Sequence, residues 1–174
     1  MWRKYPPCLF GREHNREFRL SRYRCCVHKK AIEWYRGVLG FQVLAGPIEL
    51  TGDHSHFGVI CSDIFGEVFR RGRLAFLSGH NGVGIELFEF NDPKSERPAN
   101  NFEYWKNSIF HLAVIELDVE SLTRRIEESG GKLRSKIWTL FPDKPYKIAY
   151  CEDPFGNIVE ICSHSTDQMW RSVE

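Results

Sequence analysis

The chain has 174 residues, of which 42% are apolar, 14% aromatic and 27% charged, so it can bury the core of one domain and is too aromatic for a disordered polar chain. No apolar run approaches the roughly 18–20 residues of a membrane span, and no segment resembles the apolar core of a secretion signal. The net charge of +1 hides an asymmetry: residues 1–30 hold nine Lys/Arg against two Glu, and the remainder is acidic.

A basic arm suggests nucleic acid or anionic lipid as a partner, but no regular apolar face accompanies this one. Residues 1–28 therefore read as an irregular, solvated leader that either contains a divergent first strand or does not, with no nucleic-acid or membrane partner expected. The six cysteines (Cys8, Cys25, Cys26, Cys61, Cys151, Cys162) have no Cys-x-x-Cys spacing. They read as reduced thiols of a cytoplasmic protein rather than a disulfide framework.

Residues 30–45 predict a helix feeding a strand. Ile32, Tyr35 and Leu39 recur at i, i+3 and i+7, and Gly40 stands where a left-handed residue would end the helix. Residues 51–56 and 78–82 are rich in small polar residues and predict turns, with His54, His56 and His80 at the surface. After Asn81-Gly82 comes an apolar strand, Val83–Phe90, with Ile85 and Leu87 on one face and Glu86, Phe88 and Phe90 on the other. A polar linker spans 91–107.

The same order then returns. Ile109–Leu117 predicts a strand carrying His111, Val119, Leu122 and Ile126 mark a helix face, and Gly130-Gly131 ends that helix. Asp153-Pro154-Phe155-Gly156 has the residues of a type I turn. The strand after it puts Val159 and Ile161 on one face and Ile158, Glu160, Cys162 and His164 on the other. Gly82-x-x-x-Glu86 and Gly156-x-x-x-Glu160 share one form at an offset of 74 residues, so the chain reads as two copies of one unit: module one over 29–90, module two over 108–164, and a tail over 165–174.

A carboxylate on an apolar strand face is costly to bury unless a cation meets it. Two such strands with a facing imidazole point to a shared divalent ion, Zn, Ni, Co, Mn or Fe, rather than to isolated surface acids. The basic residues Arg36, Lys132, Arg134 and Lys136 read either as contacts for substrate carboxylates or as a solvated face.

The runs from Ala31 to Phe41 (AIEWYRGVLGF), Gly84 to Phe90 (GIELFEF), Phe110 to Val114 (FHLAV) and Glu152 to Ile161 (EDPFGNIVEI) resemble the vicinal oxygen chelate superfamily of glyoxalases, bleomycin-resistance proteins and extradiol dioxygenases. The resemblance implies an α+β fold in which two βαβββ modules form a curled mixed-sheet cup, with Glu86, His111 and Glu160 as metal ligands and Glu160 and Glu86 as catalytic carboxylates. It further implies a small-molecule substrate, a homodimer, and either lyase or isomerase chemistry of lactoylglutathione lyase or epimerase type. A metal-free binding module with Phe88 and Phe90 on an open aromatic cup face is the alternative. A fourth ligand is missing: counting back from Gly40 by the 19 residues that separate His111 from Gly130, or by one more, gives Ser21 or Leu20, neither of which is a plausible ligand.

Overall fold

The computed structural model describes residues 19–24, 28–80, 82–107 and 109–171. Two sheets stand side by side. The first has the order β1-β4-β3-β2, built from β1 (Arg19–Arg24), β2 (Gln42–Thr51), β3 (Arg71–Ser78) and β4 (Gly84–Asp92). The second has the order β5-β9-β8-β6, with β5 (Leu112–Ile115), β6 (Lys132–Leu133), β8 (Lys147–Glu152) and β9 (Ile158–Cys162), while β7 (Trp138–Thr139) also pairs with β8. In each sheet the first strand runs parallel to the last, β1 to β4 and β5 to β9, and the other pairs are antiparallel. The duplicated βαβββ order read from the sequence is therefore the architecture.

Two helices share one core beneath both sheets. Helix α1 (His28–Val38) contributes Ala31, Trp34, Tyr35 and Val38, and α3 (Val119–Glu128) contributes Val119, Leu122 and Ile126. They meet Ala75, Leu77, Ile85 and Leu87 of the first sheet and Leu112, Ala149, Cys151 and Ile161 of the second. The apolar face of α1 is thus centred on Trp34 and Tyr35, with Ile32 and Leu39 only partly buried at its border. Both helices end as expected: Gly40 has φ +75° and Gly130 φ +86°. After α3 the N–H of Gly131 closes on the carbonyl of Ile126 and that of Gly130 on Glu127, the two bonds of a Schellman ending.

Two helices depart from the sequence reading. Residues 51–56 were expected as a turn, yet His56 opens a helix, α2 (His56–Phe65), inserted between β2 and β3. Its sequence is poor in helix formers, with Gly58, Val59 and Ile60 near the start. Ser55 caps it by accepting from the Gly58 N–H at 3.0 Å. Packing does the rest: Cys61 and Phe65 join Leu50, Phe69, Leu74, Phe88 and Phe90 in a second apolar cluster on the opposite face of the first sheet. Phe88 and Phe90 stack at 5.8 Å with rings 4° from parallel, and Phe65 stands edge-on to both at 5.7 and 5.2 Å. Phe88 and Phe90 consequently form a covered core rather than an open aromatic cup face.

Residues 165–174, expected as a tail, contain a short helix, α4 (Thr166–Trp170), which Ser165 and Gln168 close with a capping box. Cys61, Cys151 and Cys162 are buried free thiols, and burial pushes Cys151 up to about 12 and Cys162 to about 11. Cys8, Cys25 and Cys26 lie outside the described residues.

Candidate active site

The period-two pattern of β4 and β9 decides which side chains leave the shared core. Ile85 and Leu87 point to the helices, so Glu86 points the other way; Ile161 does likewise and leaves Glu160 on the opposite face. On β8, Ala149 and Cys151 enter the core, which places Tyr150 beside Glu160, its cross-strand partner.

His111 immediately precedes β5, which runs parallel to β9. Its Nε2 lies 3.0 Å from Glu160 Oε2, with the imidazole about a third exposed and the carboxylate more deeply set. The Tyr150 hydroxyl is hydrogen-bonded to Glu160, and its pKa is raised well above the usual phenol value by burial first and by that negative charge second. Tyr150 therefore stays protonated and donates to the carboxylate throughout the physiological range. The His111 ring is edge-on to Tyr150 at 5.3 Å, and Phe110 stacks on Tyr150 at 6.2 Å. Phe102 and Tyr104 from the linker extend this aromatic wall, at 5.0 and 6.3 Å from Phe110. The His111–Glu160–Tyr150 constellation is thus bordered on one side by half-buried aromatic rings.

Glu86 is the counterpart of Glu160 in the first sheet, half-buried and paired across the ladder with Phe76, which packs on the α2 cluster. It makes no hydrogen bond or ion pair with another described residue. Among the described residues no three His, Cys, Asp or Glu side chains gather so as to hold a metal. His111 and Glu160 meet, and Glu86 does not complete a group of three with them. The donor chemistry of the pair suits a divalent ion. Imidazole nitrogen and carboxylate oxygen 3.0 Å apart have the separation of neighbouring ligands on an octahedral ion with bonds of about 2.1 Å. His111 Nδ1 is buried without a hydrogen-bond partner, so the ring lacks the outer acceptor that usually fixes a ligating imidazole.

Register identifies the residue of the first sheet that corresponds to His111. Ser21 pairs with Glu86 and Ala113 with Glu160, so the residue two before each, Arg19 and His111, occupy equivalent places. Counting from Gly40 misses this by one or two residues because β1 carries a register shift between Ser21 and Tyr23 and α1 is one residue longer than α3. An arginine is always charged and binds no metal. Tyr150, absent from the sequence reading as a site residue, could have been found by writing β8 out opposite β9. His164 stands edge-on to Tyr146 at 4.9 Å, and His54 and His56 are exposed around the start of α2.

The glyoxalase/bleomycin resistance protein/dioxygenase superfamily model matches residues 22–161. The chain belongs to this superfamily. A glyoxalase family protein from Bacillus cereus superposes with a TM-score of 0.70 at 14% identity, over 89% of this chain and 97% of that one. The trypanothione-dependent glyoxalase I of Leishmania major gives 0.59 at 18% identity, over 90% and 91%. Glyoxalase I from Zea mays gives 0.56 at 20% identity, over 86% of this chain but only 45% of its own length, so the chain spans about half of the maize protein. At these identities the likeness is one of fold. No curated protein matches the chain. No helix of the described residues is long and apolar enough to cross a membrane.

Proposed function

We propose that this superfamily member is a metal-dependent lyase or isomerase of glyoxalase I-like type, acting on a small carbonyl compound by proton transfer at carbon. The observation that carries the reading is the contact of His111 Nε2 with Glu160 Oε2 at 3.0 Å, with Tyr150 donating to the same carboxylate. His111 and Glu160 would hold the divalent ion, and Glu86 would join them across a homodimer, where a second copy supplies what one chain does not gather. When bound, the ion supplies Lewis-acid polarisation of the substrate carbonyl.

The protein's own part is acid–base work. Glu160 takes the proton from the carbon next to the carbonyl and returns it to the neighbouring carbon, and where the product is an epimer the second carboxylate, Glu86, would protonate the opposite face. Tyr150 holds the carboxylate oriented while it does so, and Phe110 and Phe102 border the site on one side. The reading places the protein in the cytoplasm. A metal-free sequestration module of bleomycin-resistance type is the alternative reading: the lack of a third ligand beside His111 and Glu160 among the described residues favours it, while the packing of Phe88 and Phe90 against α2 removes the aromatic face it would use.

Elemental analysis of purified protein, together with an activity screen on α-keto hemithioacetals and acyl-CoA epimers, tests the proposal. A stoichiometric divalent ion that is lost in Glu160→Gln, along with turnover, is the expected result. Protein that binds no divalent ion and turns over neither substrate class would overturn it.

A further inference from the structure

Glu152, the last residue of β8, is 2% exposed and lies on the same strand face as Tyr150, two residues away. Three cations converge on it. Arg97 Nη2 reaches Oε1 at 2.6 Å, Arg134 Nη1 reaches Oε2 at 3.3 Å, and Lys132 Nζ stands 3.8 Å from Oε1. One cation neutralises a buried carboxylate, so the cluster holds two positive charges more than Glu152 requires. These side chains, with Asn100 and Asn101, line a cleft of about 420 Å³ between the linker and β6.

The cations are held in place by contacts other than the carboxylate. Gly156, with φ +96°, leaves room for Arg97: a Cβ there would stand 2.8 Å from its Nε. Asn101 Nδ2 donates to the Gly156 carbonyl at 2.8 Å and ties the linker to the β8–β9 turn. The Arg134 guanidinium lies over the Phe102 ring, 4.8 Å from its centroid. A guanidinium has five N–H donors, and Glu152 engages one nitrogen of each arginine. Unspent donors and surplus charge, pre-ordered in a concave site, are what recognise a doubly charged oxyanion.

We infer that the cleft formed by Arg97, Lys132 and Arg134 around Glu152 is a binding site for a phosphate-type dianion, either the free ion or the phosphate of a small metabolite. This goes beyond the chelation chemistry and does not depend on it. Glu152 is a positioning residue whose carboxylate holds the two guanidinium groups apart and aimed. A purely structural cluster would bind nothing.

The test titrates full-length protein with inorganic phosphate at low ionic strength, following binding calorimetrically and by amide chemical-shift mapping. Saturable one-to-one binding is expected, with shifts centred on residues 97–101, 132–134 and 152–156, and sulfate competes where chloride does not. Arg97→Gln and Arg134→Gln are each expected to weaken binding by about tenfold, the loss of one charge-assisted bond. Lys132→Gln, at an exposed position that folding does not need, is expected to weaken it by about threefold. Glycerol 3-phosphate binding more tightly than inorganic phosphate marks a phosphomonoester site, and equal binding marks a free-ion site. Glu160→Gln leaves phosphate affinity unchanged, which separates this inference from the proposed activity. Shifts centred elsewhere, no saturation by 10 mM phosphate, a figure on the order of the weakest useful affinity, or undiminished binding in the three variants would overturn it.

Discussion

The hydroxyl of Tyr35 on α1 donates to Asp153 Oδ2 at 2.7 Å, joining the helix of the first module to the β8–β9 turn of the second across 118 residues. Asn157 Nδ2 donates to the same oxygen at 2.7 Å, while Oδ1 accepts the N–H groups of Phe155 and Asn157 at 2.9 and 2.8 Å. Asp153 is 2% exposed and Tyr35 fully buried. The turn is thereby fixed to the helix, and with it the start of the strand that carries Glu160. From the other side, Arg125 of α3 donates to the carbonyls of Gly37 and Val38 at 3.1 and 2.7 Å, satisfying the end of α1.

Tyr35→Phe removes the bond to Asp153 and the longer one that the hydroxyl accepts from Asn157 Nδ2 at 3.3 Å, leaves Asp153 short of a donor, and is expected to cost about 1–3 kcal/mol in urea unfolding. Asp153→Ala, which strands the N–H groups of Phe155 and Asn157 and the Asn157 side-chain amide as well as the hydroxyl, is expected to cost about 3–5 kcal/mol. A double-mutant cycle should give a coupling above about 0.5 kcal/mol; strictly additive losses would show that the two groups do not act together.

Burial raises the Asp153 pKa above its ordinary 3.8, against the pull of its hydrogen bonds from Asn157, Tyr35 and the backbone. A carboxyl with a raised folded-state pKa binds protons more tightly in the native chain than in the unfolded one. Its contribution is complete below 3.8 and is lost as pH rises through the folded-state value. The stability of the wild type relative to Asp153→Asn should therefore fall as pH climbs from about 4, then level off. Denaturant midpoints of both proteins across that range check this, and a relative stability that rises with pH contradicts it.

The second core depends on α2. Phe88→Ala is expected to destabilise by about 3–5 kcal/mol, as for a buried aromatic ring, even though the site face of β4 was expected to be open. Ser55→Ala should cost about 1 kcal/mol through the lost cap. Gly58→Ala should cost more than a cap, because the added Cβ would meet the Asp53 carbonyl oxygen at 2.6 Å. Thermal unfolding separates these effects; a Phe88→Ala protein as stable as the wild type would mean that the cluster is not packed as described.

Tyr150→Phe keeps the ring against His111 and Phe110 and deletes only the hydroxyl that reaches Glu160. With Glu160 as the ligand proposed above, losing this hydrogen bond is expected to weaken divalent-metal affinity by about 10–100-fold with little change in unfolding midpoint. Metal titration by calorimetry measures it. Unchanged affinity would remove Tyr150 from the site.

Much of the fold was legible because it is written in short-range chemistry. The alternation in β4 and β9, the left-handed glycines at 40 and 130, and the repeated order of helix, glycine, strand and turn are local constraints that recur at one spacing. Helix α2 was not legible, since His56 to Phe65 has weak intrinsic preference and becomes helical only by covering Leu74, Phe88 and Phe90. For the site, strand periodicity was enough to put Glu86, Glu160 and His111 on the right faces. It could not say which of them meet.

From its residues alone the chain determined a duplicated α+β unit with one acid on the last strand of each copy, because hydrophobic periodicity and backbone sterics act over a few residues. Tertiary structure decided that Glu160 and not Glu86 is paired with His111, that Tyr150 joins them, and that Arg97 crosses from the linker to Glu152. Those contacts join residues up to 55 positions apart. They follow from sheet register and from how the two modules pack, which depend on the whole chain being folded at once.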